Sequence, residues 1–192
     1  MTLPSDERSL VAAARQGDHW AFERLVKANQ ARIYSLALRM LGNRQDAEDV
    51  LQETFIAFYR SLSRFQGRSA VSTYLYRLAV NFCLMKLRYR KSHGGTQQPM
   101  DLAAEVAATG PSPLEQAERS EQRRQLDRAL QLLPAAERAV VVLRDVQGLS
   151  GAAVARVLKL SLPAMKSRLH RGREALRRTV AERGAQQGGE KG

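Results

Sequence analysis

Apolar residues recur at helical spacing along most of this chain, and no stretch shows the alternation of a half-buried strand. We therefore predict an all-α fold with four helices in each half of the chain. In the N-terminal half the helices are expected at residues 5–16, 19–41, 44–62 and 72–91, with a short loop at 63–71. In the C-terminal half they are expected at residues 114–133, 135–146, 151–158 and 162 to about 181.

A change of composition near the middle of the chain predicts a linker between two helical domains. Residues 92–113 contain three prolines, three glycines and no Lys or Arg, whereas the flanking segments are charged and helix-patterned. The predicted domains are residues 1–91 and 114–182. Residues 183–192 are expected to form a disordered tail.

The C-terminal domain ends in the pattern of a helix-turn-helix. Ser150 and Ser161 are placed to cap its two helices. Eight Lys or Arg and one acid lie between Arg156 and Arg178, an imbalance that suits a phosphate backbone. Apolar residues Met165, Leu169 and Leu176 should face the core. The remaining side chains are candidates to contact duplex DNA: Lys166, Ser167, Arg168, His170, Arg171 and Arg173. The alternative is a solvated basic helix.

A second basic element occupies residues 64–91, which contain seven Lys or Arg and no acid. Aromatic residues are interleaved with these cations, a mixture that suits unstacked, single-stranded bases. We expect an apolar core stripe of Leu75, Leu78, Ala79, Phe82, Met85 and Tyr89. The opposite face would carry Tyr74, Arg77, Asn81 and Arg88. For Tyr74 the residues leave open whether the ring is in the core or on the surface.

The third predicted helix has the opposite charge. Its acids in the first turns complement the helix dipole, which is one sufficient reason for their presence. The alternative is that Asp49, Gln52 and Glu53, which share a face turned away from Phe55 and Phe58, dock a basic protein partner.

The rest of the composition excludes several classes of protein. The net charge is +12, which favours a polyanionic partner. The single cysteine, Cys83, cannot form an internal disulfide and is expected to be a buried structural thiol. The three histidines form no ligand pattern, so we expect no metal and no cofactor. We find no catalytic motif, membrane span or signal peptide, and we expect a cytoplasmic protein that is not an enzyme.

Several motifs in this order resemble those of bacterial RNA polymerase sigma factors of the extracytoplasmic-function (ECF, group IV) class. The resemblance covers about residues 21–91 and 126–180. The motifs are DAEDVLQETF at 46–55, TYLYRLAVN at 73–81, LP at 133–134, LRD at 143–145 and KSRLHR at 166–171.

The resemblance implies a role in transcription initiation without catalytic activity. The acidic helix would bind the clamp helices of the polymerase β′ subunit through Asp49, Gln52 and Glu53. The helix-turn-helix would read the −35 element while resting on the β flap, and the linker would thread toward the active-site channel. An anti-sigma factor is an expected further partner. The −10 element would be read by the loop and helix that carry Phe65, Arg68, Ser72, Tyr74, Arg77, Asn81 and Arg88.

The chain departs from the family pattern at a few positions. Tyr74 stands where the family often has Trp, and Ala152 and Ala153 stand where it usually has acids. Lys159 stands where it usually has a turn glycine; a positive φ there would cost about 1 kcal/mol. The alternative function is a stand-alone helix-turn-helix regulator, which would need a dimer interface or a ligand pocket.

Overall fold

The computed structural model describes residues 5–67, 69–93 and 113–188, with side chains described for 6–67, 69–93 and 122–181. These ranges are helical and contain no strand, which confirms the all-α prediction. A 3-10 turn (Leu62–Arg64) follows the third helix and a π-helical turn (Val142–Val146) follows the sixth. The helices are α1 (Ser5–Arg15), α2 (His19–Leu41), α3 (Arg44–Ser61), α4 (Val71–Ser92), α5 (Pro113–Leu132), α6 (Ala135–Val141), α7 (Gly151–Leu158) and α8 (Leu162–Gly188).

The ends of the helices follow local sequence signals. Asp18 accepts hydrogen bonds from the backbone N–H groups of Trp20 and Ala21 and so caps α2. Gly42 ends the same helix in the left-handed conformation, which glycine adopts without a Cβ penalty. Asn43 then caps α3. These boundaries are within one residue of those predicted.

The end of α8 differs from its prediction. Helix α8 continues to Gly188, past its predicted end near Ala181, and the residues beyond are helix formers except for Gly184 and the terminal Gly188. Disorder at the end of the chain stays a prediction. Residues 189–192 and most of the predicted linker, 94–112, lie outside the described residues.

The N-terminal domain packs α2, α3 and α4 around a core that includes Leu25, Ile33 and Phe58. The buried face of α4 differs in part from its predicted stripe. Leu75 and Ala79 are buried as expected, whereas Met85 and Tyr89 are 56% and 64% exposed. The buried face continues instead through Tyr76, Val80 and Cys83. Because α4 packs against α2, α3 and also α7, and Tyr76 donates to Gln147, its buried surface is displaced from the line of the largest apolar residues.

The two domains contact each other where α2 ends. Arg138, on α6, is 2% exposed and donates to the carbonyl oxygens of Met40, Gln131 and Leu133 at 2.6, 2.6 and 3.0 Å. The side chain of Gln131 donates in turn to the Arg39 carbonyl at 2.7 Å. Burial lowers the pKa of Arg138 to about 10, so the guanidinium is charged at neutral pH. This contact fixes the C-terminal domain against the N-terminal domain.

Candidate nucleic-acid and polymerase interface

The turn of the helix-turn-helix is closed by backbone hydrogen bonds and one left-handed residue. Lys159 has φ 53° and ψ 45°, and it is the one non-glycine residue with positive φ in the described ranges. The N–H of Leu160 donates to the Ala155 carbonyl at 2.8 Å. Ser161 then accepts from the N–H of Ala164 at 3.3 Å and starts α8. The turn therefore keeps the geometry of a glycine turn with lysine in its place.

The inner face of α8 holds the helix against α6 and α7. Met165 is buried, and Leu169 and Leu176 are partly buried against the core, as predicted. Gly172, which sequence reasoning did not single out, is also buried. A Cβ at this position would lie 2.7 Å from Cγ2 of Val141, so the close approach of α8 to α6 requires glycine.

The outer face of α8 presents a set of free polar groups near its N-terminus. Lys166, Ser167 and His170 are exposed and form no hydrogen bond or ion pair with any described residue. Arg168 is half-buried at the edge of this face. These positions can meet a duplex without first breaking an internal contact.

Two further predicted arginines of α8 are instead paired. Arg171 Nε donates to Glu137 Oε1 at 3.3 Å. Arg173 forms two hydrogen bonds with Asp145, at 2.9 and 2.6 Å, which raise the pKa of its guanidinium. Both arginines are exposed, so these pairs are weak and can be exchanged for a phosphate.

The predicted −10 loop contains an aromatic cluster that lies mostly inside the domain. The ring of Phe65 is 5% exposed and packs edge-on against Tyr74, with ring centroids 5.1 Å apart. The Tyr74 hydroxyl donates to Ser61 Oγ at 2.9 Å, and the Arg77 guanidinium lies over the ring at 4.8 Å. Tyr74 is half-buried, so its ring packs on the core at the edge of the surface. Arg68 lies outside the described residues.

The outer face of α4 is polar and basic beyond this cluster. Asn81 and Arg88 are exposed, Ser72 and Arg77 are half-buried, and Arg88 Nε donates to the Leu84 carbonyl at 3.2 Å. The exposed ring of Tyr89 stacks on His93 with centroids 4.0 Å apart. Sequence reasoning assigned Tyr89 to the core, and that assignment is wrong. The late part of α4 turns Lys86 toward α3 and Arg90 toward Leu41 of α2, and Tyr89 lies on another side of the helix.

The acidic surface of α3 contains both paired and free carboxylates. Lys86 Nζ lies 3.1 Å from Asp46 and 2.9 Å from Asp49, and its hydrogen bond and charge lower the pKa of Asp49. Gln52 and Glu53 are exposed on the same face, and neither forms a hydrogen bond or ion pair with a described residue. The three predicted residues therefore share a surface, but only the last two are uncommitted.

This acidic surface continues into an apolar groove between α3 and α4. Ile56 is 51% exposed there, and the groove floor includes Ala57 and Phe82. Arg60 and Arg64 border its other end. Acid, apolar and basic side chains thus follow one another along a single surface.

Sequence reasoning missed the residues that join the domains. Asp127, whose pKa is raised by burial, lies 3.2 Å from Arg39 Nε. With Gln131 and Arg138 they form a polar cluster between the domains. Charged residues on predicted helices ordinarily face solvent, so the sequence carried no signal for this burial.

The part of the chain that the structure describes contains neither a metal-binding group nor a membrane-spanning helix. Its His, Cys, Asp and Glu residues form no group suited to a metal ion. None of its helices combines the length and apolarity needed to cross a bilayer.

A helix-turn-helix with free polar groups, a second basic helix and an acidic surface are features expected of a two-domain DNA-binding transcription protein. Comparison with known families agrees. Residues 25–93 match the family model of Sigma-70 region 2, and residues 123–176 match that of Sigma-70, region 4.

Individual relatives extend the match along most of the chain. It is 31% identical to the ECF RNA polymerase sigma factor SigW of Bacillus subtilis, over 90% of this chain and 95% of that protein. It is 37% identical to the ECF sigma factor SigE of Mycolicibacterium smegmatis, over 93% and 70% respectively. The structure of CnrH in complex with the cytosolic domain of CnrY matches with a TM-score of 0.68 and 26% identity, covering 93% of this chain and 99% of CnrH.

The chain belongs to the ECF family of RNA polymerase sigma factors. It is a promoter-specificity factor for transcription initiation and not an enzyme. The alternative of a stand-alone regulator is not favoured.

Proposed function

We propose that α8 reads the −35 element mainly through Lys166, Ser167 and His170. Their exposure at the N-terminal turns of the second helix supports this, since those turns reach base edges in the major groove. Arg168, Arg171 and Arg173 would then hold the flanking phosphates. For the last two this means leaving Glu137 and Asp145 for a backbone oxygen.

The −10 element would be read by the outer face of α4 and the loop before it. Arg77, Asn81 and Arg88 supply cations and an amide on one face, and Ser72 and Arg68 flank the loop. Phe65 and Tyr74 keep a role in this proposal as supports. Their packed rings hold the loop in a fixed shape, so the binding surface is formed before DNA arrives.

Core polymerase would bind the acidic surface of α3. Gln52 and Glu53 are free to pair with basic groups of the β′ clamp helices, and Ile56 adds apolar area beside them. Asp49 would contribute its charge while remaining paired with Lys86. The helix-turn-helix would rest on the β flap.

Regulation by an anti-sigma factor is part of the same proposal. The structural relative CnrH was solved with the cytosolic domain of CnrY, and this chain matches CnrH over nearly all of its length. We expect the chain to act in the cytoplasm, where polymerase and the chromosome are. The domain formed by residues 1–91 would bind core polymerase and the −10 element. The domain formed by residues 114–182 would bind the −35 element, and residues 92–113 would join the two.

The observation that carries the proposal is the separation of acidic from basic side chains on the surface. The unpaired acid Glu53 lies on α3, whereas cations and uncharged polar groups lie on the outer faces of α4 and α8. One basic partner and two nucleic-acid segments can therefore bind at the same time.

Charge reversal on α3 tests the polymerase assignment. Glu53→Lys should weaken binding to core polymerase at least about tenfold, measured with purified components. Glu48→Lys is the matched control, because Glu48 is an exposed acid of the same helix outside the proposed set. If the two variants bind core polymerase equally, Glu53 does not belong to the docking surface.

A further inference from the structure

Helix α4 begins without a capping side chain of its own. Ala70 precedes its first residue and offers no side-chain acceptor. The free N–H groups of a first helical turn need an acceptor, which Ser, Thr, Asp or Asn usually supplies locally. In this chain the acceptor comes from far away in the sequence.

Glu7, on α1, supplies the missing acceptor. Its Oε1 accepts from the backbone N–H of Val71 at 3.0 Å, across 64 residues of sequence. Val71 is fully buried, so this N–H is shielded from solvent at the point where the helix starts. The carboxylate also lies at the positive end of the α4 dipole. Burial of Glu7 raises its pKa, which the bond to Val71 partly opposes.

The C-terminal end of α1 contacts the segment where the loop before α4 begins. Arg15 Nη2 donates to the Ser63 carbonyl at 3.0 Å, in the 3-10 turn that precedes the loop. Between these two contacts, Val11 and Ala14 are 5% exposed and pack into the core. These four residues follow helical spacing along one face of α1. Helix α1 therefore spans the segment from Ser63 to Val71 and holds both of its ends.

We propose that Glu7 is a positioning residue for −10 recognition, acting through the start of α4 and the loop before it. Helix α1 lies outside the residues matched by the region 2 family model, which begin at residue 25. The inference rests on the proposed assignment of the −10 element to this loop and α4. Glu7 itself touches no DNA. It fixes the direction in which α4 presents Arg77 and Asn81.

The test uses holoenzyme reconstituted with full-length protein and a fork-junction promoter whose −10 segment is single-stranded. Glu7→Ala should lower affinity for this template about five- to tenfold at a temperature where the variant is folded. Affinity for core polymerase and the penalty for a mutated −35 element should stay unchanged. Glu7→Gln keeps a side-chain oxygen that can accept from Val71, and it should restore most of the loss.

The control is Asp6→Ala, which removes an exposed neighbouring carboxylate that forms no hydrogen bond or ion pair with a described residue. It should behave as wild type. The proposal is overturned if Glu7→Ala binds the fork template like wild type, if Glu7→Gln is as defective as Glu7→Ala, or if core binding and both promoter elements weaken together. The last result would show a general stabilising role.

A separate arm tests the assignment on which the inference rests. Arg77→Ala and Asn81→Ala should weaken binding to the same fork template. If neither does, α4 is not the −10 reader and the proposed function fails at this point, together with the role of Glu7. If both do and Glu7→Ala does not, only the positioning role is wrong.

Discussion

Helices α4 and α8 carry the two basic surfaces of this sigma factor, yet they are held in different ways. Helix α4 packs against α2, α3 and α7, its first N–H is capped from α1, and Phe65 beside it is buried. Helix α8 packs its inner face against α5, α6 and α7 and leaves Lys166, Ser167 and His170 exposed.

The difference suggests two modes of recognition. Under the proposed assignments α4 binds a single strand, which has no fixed shape, so the aromatic cluster beside α4 would supply the shape. A duplex supplies its own groove, so α8 would need only exposed groups on a straight helix. We therefore expect substitutions of the rings near α4 to affect stability and substitutions on α8 to affect sequence choice.

The largest expected effect comes from Phe65. Phe65→Ala should lower the free energy of unfolding by about 3–5 kcal/mol, because it removes a buried ring from contact with Phe58 and Tyr74. Urea denaturation measures the change. Tyr89→Ala removes an exposed ring from the same region and should change stability by less than about 0.5 kcal/mol. If the two substitutions lower the free energy of unfolding equally, the burial of Phe65 does not account for its contribution to stability.

The next effect concerns α8 and should appear in selectivity, not stability. His170→Ala or Lys166→Ala should reduce discrimination against −35 base changes by about 1–3 kcal/mol for each lost base contact. Unfolding should stay within about 0.5 kcal/mol of wild type, because neither side chain contacts a described residue. Transcription from a panel of −35 variants measures the discrimination.

Arg178→Ala is the comparison variant for this prediction. It removes an exposed cation farther along α8 and should weaken all templates about equally. If the His170 and Lys166 variants also act uniformly on all templates, these residues contact phosphates and do not read bases.

A third effect follows from Cys83 on the buried face of α4. Burial raises the pKa of its thiol from 9.0 to about 12. Below pH 9.0 the thiol is protonated in both states. Between pH 9.0 and 12 the unfolded chain releases this proton and the folded chain keeps it. The free energy of unfolding should therefore fall with rising pH, by about 1.4 kcal/mol per pH unit from this group.

Denaturation of wild type and Cys83→Ala between pH 8 and pH 11 measures this contribution. The other titrating groups are shared, so the difference between the two slopes belongs to Cys83. Parallel pH profiles for the two proteins would mean that the thiol is not enclosed as the structure has it.

The smallest effect lies in the turn that begins α8. Lys159→Gly should raise the free energy of unfolding by less than about 1 kcal/mol, because glycine adopts positive φ without strain but loses more chain entropy on folding. Lys159→Ala removes the same charge without relieving the backbone and should give no gain. A gain from alanine equal to that from glycine would assign the effect to charge. Thermal unfolding distinguishes these results.

Much of the fold could be predicted from the sequence because its signals are local. Asp18, Gly42 and Asn43 mark helix ends by side-chain and backbone chemistry that acts within a few residues. The inner face of α8 was also predictable, since Met165, Leu169 and Leu176 keep one helical period. The positive φ of Lys159 was left open by the sequence, where only the family's usual turn glycine pointed to it.

The remaining features depend on contacts between distant segments. Tyr89 was assigned to the core because period alone does not show which side of α4 its neighbours cover; Lys86 and Arg90 face α3 and α2, and Tyr89 does not. Glu7 and Arg15 gave no signal, because their partners are backbone groups 64 and 48 residues away. At the candidate site, the exposure of Gln52 and Glu53 was predictable from the helical face, whereas the pairing of Asp49 with Lys86 needed the packing of α4 on α3.

The joint between the domains has a consequence for how this sequence can vary. Most of the acceptors that Arg138 contacts are main-chain carbonyls, at Met40, Gln131 and Leu133. A carbonyl persists whatever side chain its residue carries, so substitutions at Met40 and Leu133 leave this hydrogen bonding in place. The guanidinium has no such substitute. In a saturation mutagenesis scan, most substitutions of Arg138 should therefore be harmful. Substitutions of the residues that supply the carbonyls should be limited only by how their own side chains pack.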